Sequence, residues 1–200
     1  MKYYFQKAAF PVVYLVLTAV TAFAGLSLSN SLMALKIIIG IIDVALYTYF
    51  VAFFALKTGE EAMSVRYNND VTRAEMVRTQ RALPIKQHEE YKVWKGFFLG
   101  FLSCIPLIIL WIVHLTIITA TGKAASQVGG FTMLLYLVVI YFFNLDVNLI
   151  SAATGFYYTA LYLPYMVILT GVFYLIGARR TQRSREAAAR KLKDIYGEDK

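Results

Sequence analysis

Hydrophobic positions in this chain fall in long uncharged blocks, not in the 3.6-residue or alternating patterns of a water-facing domain. The first block runs from about Ala8 to Leu28. A polar turn, Ser29-Asn30-Ser31, leads to a second from about Ile37 to Leu56. A charged stretch over 57–95 follows, then a third block, Gly96 to Ile118, a short fourth, Gly129 to Phe143, and a fifth, Gly155 to Ala178. A run of about 18 apolar residues is long enough to cross a hydrocarbon core of roughly 30 Å, and the fourth block is short for that thickness. The pattern predicts an all-α fold: a polytopic integral membrane helical bundle with four spans and a re-entrant or interfacial segment at 129–143. Extending the fourth block back through Ala124 would give five spans instead. The domain reading is one transmembrane unit over 1–178, with 57–95 as its cytoplasmic connection and 179–200 as a basic helical tail.

The polar stretches carry their own helix signals. Thr72-Arg73-Ala74-Glu75 fits a capping box, which predicts a short helix from there to Leu83, stopped by Pro84. The run His88 to Lys95 predicts a helix that continues into the third span, with Tyr91 and Trp94 at the interface. In the tail, Ala188, Leu192 and Ile195 share one helix face. Pro106 and Pro164 are expected to kink the third and fifth blocks.

Composition sharpens this picture. Hydrophobic residues make up 59% of the chain and charged residues 16%, against about 25% charged in an average soluble domain. The net charge of +8 would fit a nucleic-acid partner, but its distribution argues otherwise. Apart from Lys36 and Lys123, every Lys and Arg lies before the first block, in 57–95 or in the tail. Basic residues gather at the cytoplasmic ends of spanning helices. The expected topology has the N-terminus and tail cytoplasmic, in a bacterial plasma membrane, with no nucleic-acid partner. The first block is longer than a secretory signal core and lacks a small-x-small cleavage pattern, so it is read as a retained helix.

Few residues offer chemistry. Asp43 stands alone as an acid inside the second block, and an intramembrane carboxylate usually faces the bundle interior. Depths counted at 1.5 Å per residue place Asp43, Thr21 and Tyr165 in one layer, with His114 about a turn beyond. Tyr47 lies on the same helix face as Asp43. These five residues are the candidate polar cluster. Tyr158, Tyr162 and Tyr165 form a tyrosine stripe in the fifth block. Gly96, Gly100 and Cys104 form a small-residue face suited to close helix packing. Arg179, Arg180, Arg183 and Arg185 are candidate contacts for anionic lipid headgroups. Asn144, Asp146 and Asn148 bear oxygens but lack the glycine and glutamate of an EF-hand, so no metal site is expected there. The one cysteine forms no internal disulfide, and the chain holds no His-Glu-x-x-His, Gly-x-Ser-x-Gly or phosphate-loop motif. No cofactor is expected. The functional expectation is a non-catalytic accessory or assembly subunit that contacts a larger membrane protein or itself. The alternative is a small transporter or channel subunit built on Asp43 and His114.

Overall fold

A computed structural model of the protein describes residues 2–26, 33–121 and 161–197. Most of the described residues are helical, with no strand among them. Four helices carry the fold: α1 (Lys2–Leu26), α2 (Met33–Thr79), α3 (Val93–Thr121) and α4 (Tyr162–Tyr196). Helices α2 and α4 are each long and apolar enough to cross a membrane. The expected segment at 129–143 and the oxygen-bearing run at 144–148 lie outside the described residues.

Helix α2 differs most from expectation. It runs unbroken for 47 residues through the second apolar block and 23 residues into the stretch read as a connection. The capping box at Thr72 starts no helix. Thr72 Oγ1 instead bonds back to the Asn68 carbonyl at 2.9 Å, one turn earlier in the same helix. A capping residue acts only where a helix begins, and extending an existing helix costs far less than nucleating a new one. Helix α2 stops at Thr79, where Gln80 takes a left-handed φ of 54°, the usual geometry just past a helix C-terminus. Residues 80–92 form an irregular strap, with turns at 87–90, where a helix was expected. Helix α3 then starts at Val93.

Likewise α4 joins the fifth apolar block and the tail in one 35-residue helix. Pro164 falls in its first described turn, where the missing amide has no intrahelical acceptor to lose. Pro11 and Pro106 sit inside α1 and α3.

The helices pack in a ring, α1 between α2 and α3, and α4 between the same two. Stacked rings set the α1–α2 register: Phe10 on Phe54 at 4.8 Å and Tyr14 on Phe50 at 5.0 Å. Ser103 Oγ ties α3 to α1, lying 3.0 Å from the Ala8 carbonyl and 2.9 Å from the Leu99 carbonyl of its own helix, with its one proton shared between them. Helices α3 and α4 run antiparallel, with Gly96 against Tyr174 and Gly100 against Thr170 and Met166. Helices α2 and α4 run parallel, with Tyr47 level with Tyr162 and Tyr67 level with Arg185, and they cross with their backbones touching. A Cβ on Gly59 would overlap the Tyr174 carbonyl, and one on Gly177 would overlap the Leu56 carbonyl.

This packing brings charged groups from three helices to one level. Lys7 of α1 pairs with Glu61 of α2 at 2.6 Å, and Glu60 is met by Lys57 at 2.9 Å and by Arg180 of α4 at 3.7 Å. On one side of this level α4 carries no charge, α1 and α3 carry none beyond Lys7 and Lys95, and α2 carries only Lys36 and Asp43. Large apolar side chains face outward there on all four helices, among them Val13, Ile42, Phe53, Ile109, Ile112 and Ile168. Exposed apolar surface on this scale marks contact with lipid or protein. On the other side, α2 and α4 continue as a charged helical pair, joined at Arg185, whose guanidinium lies 4.7 Å from the Tyr67 ring centre.

Candidate functional site

The polar groups inside the apolar half arise mostly from α2 and α4. A face of α2 carries Asp43, Tyr47, Val51 and Ala55 at spacings of four, and all four are buried. The α2 side chain with the strongest ties is Tyr47. Its hydroxyl contacts the Tyr162 hydroxyl of α4, lies 3.3 Å from Met166 Sδ and reaches the Pro11 carbonyl of α1 at 3.5 Å. Around this pair close Leu15, Val51, Cys104 and Met166, so all four helices meet there. One residue along, Thr48 Oγ1 donates to the Val44 carbonyl at 2.6 Å and lies 2.6 Å from the Tyr165 hydroxyl. The threonine proton serves its own helix, so Tyr165 is the donor between them.

Asp43 lies one turn from Tyr47 and is 8% exposed. Helix register relates it to two further candidates. Continuing the Tyr14–Phe50 stacking by about two turns along each helix brings Thr21 level with Asp43. The Ser103–Ala8 contact, followed about three turns up α3, brings the His114 position into the same region. The side chains of Thr21 and His114 lie outside the described residues, as does Tyr158. Tyr165 sits beside Thr48, about a turn and a half nearer the charged level than Asp43, not in the single layer expected from counting depths.

Spacing alone did not reveal the Tyr47–Tyr162 and Thr48–Tyr165 pairs. The tyrosine stripe of α4 was visible, but its partners depend on how α4 slides against α2. Two buried threonines of the packed faces are satisfied locally. Thr58 and Thr170 each bond to the carbonyl four residues back, at 2.9 and 2.7 Å, a common way to seat a hydroxyl in an apolar helix.

The small-residue face of α3 meets α4 of the same chain. Gly96 and Gly100 admit Tyr174 and Thr170, and Cys104 is buried in the four-helix cluster. That face is therefore occupied within the chain and gives no support to an outside partner. The basic residues of the tail are spread along a straight helix. Arg180 is engaged with Glu60 and Arg185 with Tyr67, while Arg179 and Arg183 are exposed.

Outside the apolar half, the strap makes a second polar cluster. Arg73 forms a two-pronged pair with Glu90, at 3.2 and 2.7 Å, and also bonds Asp70 at 2.7 Å. Buried Asn69 accepts the Lys86 amide at 3.3 Å and donates to Glu90 at 3.4 Å. The Tyr91 amide donates to the Ala62 carbonyl at 3.0 Å. The buried Lys95 ammonium donates to the carbonyls of His88 (2.8 Å) and Glu90. From α1, Tyr4 donates to the His88 carbonyl at 3.2 Å, and on α4 the Tyr174 ring stacks on Tyr91 at 5.6 Å.

Among the described residues, no group of three or more His, Cys, Asp and Glu side chains is placed to hold a metal ion. The arrangement defines a class: a small helical bundle, two of its helices able to cross a membrane, with a buried Asp43 and the Tyr47–Tyr162 and Thr48–Tyr165 hydroxyl pairs inside. Compared with known proteins, the chain matches no family model, no curated protein and no solved structure.

Proposed function

We propose that this chain is an integral membrane protein with four spans, N-terminus and tail in the cytoplasm, acting as a non-catalytic accessory or assembly subunit of a larger membrane complex. The observation that carries this reading is the α2–α4 pair. Both helices pass through the charged level without a break and hold together beyond it as far as Tyr67 and Arg185. Residues 57–79 alone make about 35 Å of helix, a rigid stalk suited to holding a partner at a fixed distance from the bilayer.

Four spans are supported by the outward apolar side chains on all four helices and by the antiparallel α3–α4 pairing. Helix α3 ends and α4 begins at the same end of the bundle, which favours a re-entrant course for 129–143 over a single crossing. The exposed Arg179 and Arg183, just past the apolar part of α4, suit anionic lipid headgroups at the inner leaflet. The basic inner side suits a bacterial plasma membrane.

Native mass spectrometry of the protein, extracted gently from its own host, tests the assembly reading. A companion at fixed stoichiometry is expected, and it should be lost when exposed stalk residues Val71 and Val77 are changed to Asp. A chain that flies alone, or a companion indifferent to the stalk change, would count against it.

A second reading, a small transporter or channel subunit, rests on the burial of Asp43 one helical turn from Tyr47. Intramembrane carboxylates mark ion or proton paths in many such proteins. Under the assembly reading, proteoliposomes holding wild type or Asp43→Asn leak protons and Na⁺ at the same slow rate. Flux that Asp43→Asn abolishes, in a variant that still folds, would move the conclusion to the second reading.

A further inference from the structure

The strap between α2 and α3 touches every helix of the bundle, though it has no regular structure of its own. Its contacts are of two kinds. Main-chain bonds seat it: Tyr91 to Ala62, Lys86 to Asn69, and the His88 carbonyl to both Tyr4 and Lys95. The Arg73–Glu90 pair is the one ion pair between the strap and α2 among the described residues, and it sits where Asn69 also bonds Glu90. Lys95 and Arg73 play different parts. The Lys95 ammonium is buried and held by carbonyl oxygens, so its seat does not depend on the ionisation of Glu90. Arg73 is 41% exposed on its side chain and within reach of water.

We propose that residues 80–92 form a latch locked by Arg73 and Glu90, which clamps the charged ends of α1 and α3 to the α2–α4 stalk and opens when Glu90 loses its charge. An open latch frees α1 and α3 to shift against the stalk while the backbone crossing at Gly59 and Gly177 holds α2 and α4 together. Charge state at the strap is thereby coupled to the arrangement of the bundle.

The charged groups around Glu90 favour its anionic form on balance. From α2 come Arg73, Arg66 and Arg73's partner Asp70, from the strap the neighbours Glu89 and Lys92, and from α3 Lys95, while Tyr4 of α1 and the Tyr174 ring of α4 reach the strap at His88 and Tyr91. The bonds from Arg73, more than any other cause, hold the Glu90 carboxyl below its ordinary range. A folded-state value below the unfolded one gives a stabilisation present at neutral pH. It is lost as pH falls through the depressed folded value.

Hydrogen exchange of the full chain in lipid nanodiscs, corrected for intrinsic rates, tests the latch. In Glu90→Gln the amides of Lys86 and Tyr91 are expected to exchange about tenfold faster, while amides flanking Gly59 and Gly177 keep their protection. The charge swap Arg73→Glu with Glu90→Arg should restore slow exchange. In wild type, protection at Lys86 and Tyr91 should step down on acidification, and Glu90→Gln should lack that step. Unchanged strap exchange in Glu90→Gln would overturn the proposal. So would a rise spread evenly over all four helices, because Glu90 would then support the whole fold and not a latch.

Discussion

Gly177→Ala is expected to lower the unfolding midpoint of the protein by several degrees and to reduce the fraction recovered as a monodisperse species in mild detergent. The cause is steric. A methyl group at 177 meets the Leu56 carbonyl of α2, a backbone atom that has no rotamer through which to withdraw. Gly59 stands in the same relation to the Tyr174 carbonyl about a turn away, so α2 and α4 approach through two glycines offered from opposite sides. Overpacking of this kind costs about 1–3 kcal/mol when side chains can adjust, and more when backbone must move. We expect about 3 kcal/mol for each glycine. The double variant Gly59→Ala/Gly177→Ala should fall short of the sum, since one displacement of α4 relieves both clashes. Thermal unfolding followed by intrinsic fluorescence is the measurement. An unaltered midpoint in Gly177→Ala would mean that the helices do not touch where the structure brings them together.

The second large effect lies in the apolar half. Tyr47 and Tyr162 are both almost fully buried, and their hydroxyls face each other among Leu15, Val51, Cys104 and Met166. Tyr47→Phe removes the contact between the two hydroxyls, and losing one partner of a buried hydrogen bond costs about 1–3 kcal/mol. Tyr162→Phe should cost a similar amount. Each single change already removes the shared hydroxyl contact, so the double variant should be clearly less destabilised than the two single changes added together. A double-mutant cycle on the unfolding midpoint reads this directly. Strict additivity would show that the two hydroxyls contribute independently, and the pair could not then be the pin at the meeting point of the four helices.

The two pairs of contacts also show where reading along the chain reached and where it stopped. The apolar blocks were legible because membrane-length hydrophobic runs are a local property: each residue carries its own preference for water or lipid. Helices α1 and α3 and the apolar parts of α2 and α4 follow those blocks closely. The polar stretch after Leu56 was harder to read. Its capping box suggested a helix beginning at Thr72, yet α2 continues through it. Gly59 is weak helix former by itself, but here its bare Cα accepts the backbone of α4, and a residue 115 positions away in sequence makes it fit. The clasp of Arg73 and Asn69 on Glu90 was equally invisible, because nothing in the order of residues says which acid will fold back onto which base.

The candidate cluster divides in the same way. That Asp43 and Tyr47 share a helix face follows from the 3.6-residue repeat, and both are buried on it. That Tyr47 meets Tyr162, and Tyr165 meets Thr48, depends on the slide of α4 along α2, which the Gly59–Gly177 crossing sets. A count of depth from the charged ends put Tyr165 in the layer of Asp43. It assumed that every helix crosses the charged level at its first basic residue, whereas the packed bundle aligns Lys7 with Glu61 and Arg180 with Glu60. The sequence by itself determined the helical class, the length of the apolar runs and the one-sided distribution of charge, since each follows from local hydrophobicity. Only the tertiary structure decided that the stalk is continuous with the bundle, that the glycine face of α3 is filled by α4, and which hydroxyls and charges meet. Those outcomes turn on close approach between distant segments, where a single Cβ or a shift of one turn changes the partner.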